Sequence, residues 1–193
     1  MRSVCVFCGS NSGRGERYGA GARALGAELA ARGIKLVYGG GRVGLMGEVA
    51  DAALAAGGHV TGVIPAALVA REVGHNALSE QHVVDSMHER KALMAELSEG
   101  FVAMPGGFGT LDETFEILTW AQLGMHRHPV GLLNVDGYFD KLLAFVDHAI
   151  GEGFVRPEYK AMLSVASTPA ELLETMARYR PPTVTKWITK SET

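Results

Sequence analysis

Seven short apolar runs alternate with helix-forming segments along almost the whole 193-residue chain. Runs of this length between longer helical patterns are typical of a parallel sheet with helices on both faces. The pattern predicts an α/β fold, a single doubly wound domain with a mainly parallel sheet over residues 1–180, followed by a loose tail over 181–193. Strands are predicted at residues 4–7, 34–38, 59–64, 81–84, 101–104, 130–135 and 163–166, and helices at 16–32, 45–56, 88–98, 110–123, 138–152 and 169–179.

Charge and hydropathy exclude several classes of protein. The net charge is −3 and no long run of Lys or Arg is present, so the sequence carries no nucleic-acid footprint. No apolar run reaches the roughly 18 residues of a membrane span, and the first residues lack the pattern of a signal peptide. We therefore expect a cytoplasmic protein that binds neither membranes nor nucleic acid, with Cys5 and Cys8 reduced and in or near the core.

A first glycine-rich segment, residues 39–44 (GGGRVG), has the G-x-G-x-x-G pattern of dinucleotide-binding folds. Two observations weaken that interpretation. The motif follows the second predicted strand instead of the first, and the next strand ends in Ile64-Pro65 without an acidic residue for the ribose hydroxyls. Amides at the start of the following helix can still hold a phosphate. The candidate ligand contacts here are Gly40, Gly41 and Gly44, with Ser10 after the first strand.

A second glycine-rich segment, residues 105–113 (PGGFGTLDE), again joins a strand to the start of a helix. Its glycines let main-chain N–H groups face an anion without obstruction by side chains. Ligands of doubly wound folds bind at the carboxyl edge of the sheet, where both segments lie. Together the two segments predict a phosphorylated ligand between them.

Two interpretations of Glu113 are open from spacing alone. Thr110 and Glu113 have the spacing of a capping box, in which Thr110 caps the helix and Glu113 occupies position N3. The alternative is that Glu113 points into the cleft as an ionised carboxylate. The helix N-terminus favours the ionised form in either case.

Arg90 and Lys91 fall in the first turn of a predicted helix. Cations at that end are unfavourable by about 0.3–1 kcal/mol per charge, so a compensating interaction is expected. One candidate is a surface ion pair with Asp85 or Glu89, which contributes little to stability. The other is a bound phosphate, since Arg suits bidentate contacts with phosphate oxygens and Lys supplies a compact charge.

These motifs together resemble those of the Lonely Guy family, the cytokinin riboside 5′-monophosphate phosphoribohydrolases. The resemblance covers residues 2–180, and its most specific part is the P-G-G-x-G-T-x-x-E motif combined with the Arg–Lys pair. The segments that carry it are residues 5–10 (CVFCGS), 38–41 (YGGG), 44–47 (GLMG), 87–91 (MHERK), 105–113 (PGGFGTLDE), 119–124 (TWAQLG) and 129–134 (PVGLLN).

The resemblance implies a Rossmann-like fold and a homodimer with its site near the subunit interface. It implies hydrolysis of N6-modified adenosine monophosphates, such as N6-isopentenyl-AMP, and of AMP, with Arg90 and Glu113 as the catalytic pair. Neither a cofactor nor a metal is expected. Contacts with the substrate carry over to Glu72, Lys91, Gly107, Phe108, Gly109, Thr110, Leu111, Asp112 and Thr119.

Relatives of this family are often labelled lysine decarboxylases, and the sequence argues against that activity. Such an enzyme needs a lysine that holds pyridoxal phosphate as a Schiff base in a larger scaffold, and the chain shows no such site.

Cleavage of an N-glycosidic bond passes through an oxocarbenium-like state at the anomeric carbon. We expect Glu113 to face the ribose, stabilising that cation and orienting or deprotonating water. Arg90 would anchor the 5′-phosphate with the amides of Gly107, Gly109 and Thr110, or act nearer the reacting centre. Three other classes stay open: a non-catalytic nucleotide carrier or sensor, a dinucleotide-dependent oxidoreductase, and a phosphotransferase. The chain lacks the G-x-x-x-x-G-K-[ST] loop common among phosphotransferases.

Overall fold

A computed structural model describes residues 1–69 and 74–182 of the protein, and its strands form one sheet in which every neighbouring pair is parallel. The order across the sheet is β4-β3-β2-β1-β5-β6-β7. The predicted α/β class and doubly wound parallel sheet are therefore confirmed. Strands β1 to β7 comprise Ser3–Phe7, Lys35–Tyr38, Val60–Pro65, Glu80–Val84, Phe101–Ala103, Val130–Leu133 and Leu163–Ala166.

Helices connect successive strands and cover both faces of the sheet. Every predicted strand and helix is present, with both ends within two residues of the predicted bounds, because the apolar periodicity marked each element. Helices α1 to α7 comprise Glu16–Ala31, Gly44–Ala55, Ala66–Val69, Met87–Glu96, Phe108–Gln122, Asp140–Gly151 and Pro169–Ala177, and two 3-10 segments lie at Val135–Gly137 and Pro157–Met162.

The two faces of the sheet have separate cores because successive side chains of a strand point to opposite sides. In β1, Val4 and Val6 belong to the cluster that includes buried residues of α1, α2 and α7. Cys5 and Phe7 belong to the cluster with α4 and α5 on the opposite face. Burial on both faces leaves the carboxyl edge of the strands as the place for a ligand.

The direction of winding reverses beside β1. The chain moves outward from β1 to β4 and then returns to β5 on the other side of β1. The segments that follow β1 and β5 therefore connect to helices on opposite faces and leave a crevice between them. They stay in contact at its floor, where the Gly9 amide donates to the Pro105 carbonyl at 3.0 Å.

Two further observations concern the described part of the chain. None of its helices combines the length and the apolar character needed to cross a membrane. Cys5 and Cys8 are free, buried thiols, as predicted, and burial raises the pKa of both.

Candidate active site

A cleft of about 420 Å³ opens beyond the carboxyl ends of β1 and β5. The segments after these two strands form opposite walls, and the starts of α2 and α4 and the turn after β6 complete them. The lining side chains and glycines include Ser10, Asn11, Tyr18, Met46, Leu68, Met87, Arg90, Gly107, Phe108, Gly109, Thr110, Glu113 and Tyr138.

Arg90 and Glu113 form a buried ion pair at the inner end of the cleft. Arg90 Nη1 donates to Glu113 Oε1 at 2.5 Å, and Arg90 Nε donates to the carbonyl of Val63 at 3.2 Å. Their side chains are 9% and 11% exposed. The guanidinium also lies directly over Gly39, where an added Cβ would come within 2.0 Å of Nη2. Protein groups thus hold Arg90 on several sides and aim it at Glu113.

Burial dominates the electrostatics of the pair. Burial raises the pKa of the Glu113 carboxyl above its ordinary value, and the neighbouring Arg90 guanidinium opposes that shift. A carboxylate with a raised pKa accepts a proton more readily, which suits a general base.

The capping-box interpretation of Thr110 and Glu113 is wrong. Helix α5 begins at Phe108, and Gly107 is its N-cap in an extended conformation without a side-chain cap. Thr110 therefore occupies position N3 and Glu113 lies a further turn along, too far to close the helix. Both side chains are buried against the cleft.

The start of α5 presents main-chain donors to the cleft. The first hydrogen bond of the helix runs from the Leu111 amide to the Gly107 carbonyl at 3.1 Å. Among residues 1–69 and 74–182, the amides of Phe108, Gly109 and Thr110 have no hydrogen-bond acceptor. Unpaired amides at a helix N-terminus favour an anion, as predicted for this segment.

The first glycine-rich segment serves packing. Gly40, at φ 71, packs against Ile64, and Gly41 forms a bridge with Gly74. Gly44, at φ 60, lies so close to Ser10 that an added Cβ would be 2.3 Å from its carbonyl carbon. None of these three glycines is among the residues described as lining the cleft, whereas the predicted contact Ser10 is.

Lys91 lies apart from the cleft. Its ammonium contacts Asp112 at 3.3 Å and Glu116 at 3.0 Å, joining α4 to α5. The alternative in which Arg90 or Lys91 pairs with Asp85 or Glu89 is therefore wrong. Carboxylates on α5 supply the counter-charge across the gap between the two helices, which the linear sequence does not show.

The remaining predicted contacts divide into two groups. Gly107, Phe108, Gly109 and Thr110 line the cleft beside the ion pair of Arg90 and Glu113. Leu111 packs toward the core near β6, Asp112 is 66% exposed, and the Thr119 hydroxyl donates to the Phe115 carbonyl at 2.7 Å on an exposed face of α5. Glu72 lies outside the described residues.

Sequence reasoning missed two aromatic side chains of the cleft. Tyr18 and Tyr138 meet edge to face, with ring centroids 5.7 Å apart. Tyr138 follows the Asp136-Gly137 pair in the turn after β6, and this turn lies at the same edge of the sheet as the glycine-rich segments. This turn signal after a parallel strand is the feature that could have identified Tyr138.

The fold and the cleft define a doubly wound α/β enzyme in which a buried carboxylate–guanidinium pair lies near a helix start whose first amides are unpaired among the described residues. A family model described as "Possible lysine decarboxylase" matches residues 46–176. The chain belongs to the family of cytokinin riboside 5′-monophosphate phosphoribohydrolases, as its motifs predicted.

Three relatives illustrate this membership, and each aligns with 94% of this chain. A "Probable cytokinin riboside 5'-monophosphate phosphoribohydrolase" of Oryza sativa subsp. japonica is 54% identical over 80% of its own length. A second rice protein, named without that qualifier, is 50% identical over 75% of its length. An Arabidopsis thaliana protein of the same name is 49% identical over 84% of its length.

Solved structures show the same fold at low sequence identity. A molybdenum cofactor binding protein from Rippkaea orientalis superposes with a TM-score of 0.69 at 23% identity, covering 91% of this chain and 94% of that one. The molybdenum cofactor carrier protein of Chlamydomonas reinhardtii gives 0.67 at 23% identity, with 92% and 96% covered. These likenesses establish the Rossmann-like architecture alone.

Proposed function

We propose that the chain hydrolyses the N-glycosidic bond of N6-modified adenosine 5′-monophosphates and of AMP, releasing the free base and ribose 5-phosphate. The observation that carries this proposal is the buried carboxylate of Glu113, less than two helical turns from unpaired amides at the start of the same helix. Helix α5 therefore carries both the amides that bind the phosphate and the Glu113 carboxylate that faces the ribose. The names of the 49–54% identical relatives support the substrate class.

The phosphate binds at the amides of Phe108, Gly109 and Thr110, which places the sugar over Glu113. Binding energy from the phosphate then positions the anomeric carbon without itself taking part in the reaction. The base extends toward the apolar side chains around the mouth of the cleft. Among these, Phe108 is 93% exposed and Met87 is 50% exposed, so both are available to an N6 substituent.

Glu113 provides the chemistry. Its negative charge stabilises the oxocarbenium-like transition state at C1′. As the C1′–N9 bond breaks, its electron pair leaves with the purine, and the oxygen of a water bonds to C1′. Glu113 accepts a proton from that water, and the departing base takes up a proton from solvent. Release of the proton from Glu113 to solvent restores the carboxylate.

Arg90 acts at the reacting centre through Glu113. Its Nε donates to the Val63 carbonyl and its Nη1 to Glu113, while Nη2 lies against Gly39. These contacts favour a role in orienting the carboxylate and keeping it ionised over a role as the main phosphate anchor.

We also propose a cytoplasmic homodimer. An exposed stripe on α5 runs through Phe108, Phe115 and Thr119, which share a helical face, and Phe115 is 40% exposed. Thr119 lies outside the described lining of the cleft, so a substrate contact there requires a second subunit. The free thiols of Cys5 and Cys8 suit a reducing compartment. Light scattering that shows only monomer at micromolar concentration would contradict the dimer.

The decisive experiment separates products by chromatography after incubation with AMP, N6-isopentenyl-AMP or adenosine. We expect release of base from both monophosphates and almost none from adenosine, since the nucleoside lacks the phosphate. Binding of AMP without base release would indicate a carrier or sensor instead. Equal kcat/KM for adenosine and AMP would remove the phosphate-anchor argument.

Lysine decarboxylation, the activity named in the family description, fits the cleft poorly. The described residues that line it include no lysine to form the Schiff base that pyridoxal-phosphate chemistry requires. Incubation with lysine provides a direct check, and evolution of carbon dioxide would contradict the proposal.

A further inference from the structure

Tyr138 reaches from the turn after β6 to the segment that precedes α5. Its hydroxyl donates a hydrogen bond of 2.5 Å to the carbonyl oxygen of Gly106. The same side chain lines the cleft. This contact links the third strand-end segment of the cleft to the anion site.

The Gly106 carbonyl has a particular place in the register of α5. In an α-helix each N–H donates to the carbonyl four residues earlier, so Gly106 is the natural acceptor for the Thr110 amide. Tyr138 donates to that oxygen, and the first bond of the helix runs from Leu111 to Gly107 at 3.1 Å. A carbonyl oxygen can accept two bonds, so the hydroxyl opposes backward extension of the helix by fixing the direction of the Gly106 carbonyl. Such an extension would consume the Thr110 amide.

The turn that carries Tyr138 is braced on several sides. The Asn134 side chain accepts from the Phe139 amide and donates to Asp140 Oδ1, both at 2.7 Å. Asp136 adopts φ 51, a left-handed conformation that costs free energy in a residue other than glycine, and it pairs with Arg17 Nε at 2.9 Å. Because these contacts hold the turn in one conformation, the Tyr138 hydroxyl stays directed at the Gly106 carbonyl.

We propose that Tyr138 is a positioning residue whose hydroxyl fixes the Gly106 carbonyl so that α5 begins at Phe108 and the Thr110 amide stays free for a phosphate monoester. This inference rests on the proposed function, because it assigns the 5′-phosphate to these amides. Tyr138 then controls affinity for phosphorylated ligands and leaves bond cleavage to Glu113.

The test is Tyr138→Phe, which removes the hydroxyl and keeps the ring packed against Tyr18 and Phe139. We expect the Kd for ribose 5-phosphate, measured by calorimetry, and the KM for AMP to rise roughly fivefold to tenfold, the effect of one hydrogen bond. The kcat for AMP and the kcat/KM for adenosine should stay near wild type. In hydrogen exchange, the Thr110 amide of the variant should be more protected than in the wild type, because it can then donate to the Gly106 carbonyl.

Thr168→Ala is the matched control, because the Thr168 hydroxyl caps α7 through the Glu171 amide at a site not described as lining the cleft. It should lower the melting temperature without changing the affinity for ribose 5-phosphate. A Tyr138→Phe protein that behaves like this control would overturn the proposal. So would unchanged Thr110 exchange, or equal weakening for AMP and adenosine.

The failure of the proposed function has a different signature. A wild-type protein that binds ribose 5-phosphate and releases no base from AMP would contradict the hydrolase, while the titration and the Thr110 exchange would still decide the role of Tyr138. A wild-type protein that does not bind ribose 5-phosphate overturns this inference as well.

Discussion

The two glycine-rich segments, residues 39–44 and 105–113, are similar in sequence but have different roles in the structure. After β2, Gly39 makes room for the Arg90 guanidinium and Gly44 packs against the Ser10 backbone. The Leu45 amide, at the start of α2, donates to the Gly9 carbonyl at 3.0 Å and is therefore occupied. After β5, Gly107 and Gly109 have open space where a Cβ would stand, and the first amides of α5 are unpaired among the described residues.

Topology determines which glycine-rich helix start is open to a ligand. The segment after β5 borders the switch point beside β1, where the crevice opens. The segment after β2 lies on the other side of β1 from that switch point, and its helix start packs onto the neighbouring segment after β1. A glycine pattern alone is thus compatible with close packing or with ligand access. Only ligand access leaves open space beside the glycines.

The largest expected effect comes from Glu113, the charge that the α5 segment brings to the cleft. Glu113→Gln keeps shape and a hydrogen-bond acceptor for Arg90 but removes the negative charge. We expect kcat to fall by roughly 10²-fold or more, the scale of losing a general base or electrostatic stabilisation. The Kd for ribose 5-phosphate should change little, since the phosphate binds at the amides.

Glu116→Gln is the control, because it makes the same substitution one turn along the same helix, where the carboxylate contacts Lys91. It should retain nearly wild-type turnover. If Glu113→Gln cleaves AMP at the wild-type rate while folded and able to bind ribose 5-phosphate, the catalytic assignment is wrong.

The next effect tests the packing role of the segment after β2. Gly39→Ala places a Cβ within 2.0 Å of Arg90 Nη2, so the guanidinium must move away from Glu113. We expect turnover to fall roughly tenfold, with a stability loss of about 1–3 kcal/mol from overpacking. Gly151→Ala, with nothing within 4 Å of the added Cβ, should leave both quantities near wild type. Normal turnover in Gly39→Ala would show that Arg90 tolerates displacement.

The pH dependence of turnover reports on Glu113 directly. The carboxylate must be ionised to stabilise the cation and accept a proton, so activity is lost as pH falls through its folded-state pKa. Burial raises that pKa above the ordinary value of a glutamate, so the acid limb of kcat should lie at a higher pH than an unperturbed glutamate would give. Below that pKa, kcat should fall tenfold per pH unit. The residual activity of Glu113→Gln should lack this limb, and its persistence in the variant would assign the limb to another group.

Sequence reasoning reached the fold more completely than the site. Apolar periodicity located the seven described strands and all the described α-helices except the short α3, because burial on two faces imposes that periodicity locally. The predicted start of α5 was wrong because Thr110 and Glu113 have the spacing of a capping box. In the structure the Gly106 carbonyl, which precedes the helix, accepts from Tyr138, 32 residues away in the sequence. The partner of Arg90 lies 23 residues away on another helix. Such contacts depend on how elements pack, and local patterns do not encode them.

The smallest expected effect completes the comparison between the segments. Gly109→Ala makes the same change as Gly39→Ala, at a position where the added Cβ meets nothing within 4 Å. Since Ala favours the helix over Gly, stability should stay unchanged or rise by up to about 1 kcal/mol. The methyl group stands in the cleft beside the amides, so the KM for AMP should rise a few-fold while kcat is retained. Melting and steady-state kinetics on both variants measure the contrast. If Gly109→Ala destabilises the fold as Gly39→Ala does, both segments serve packing, and the distinction drawn between them fails.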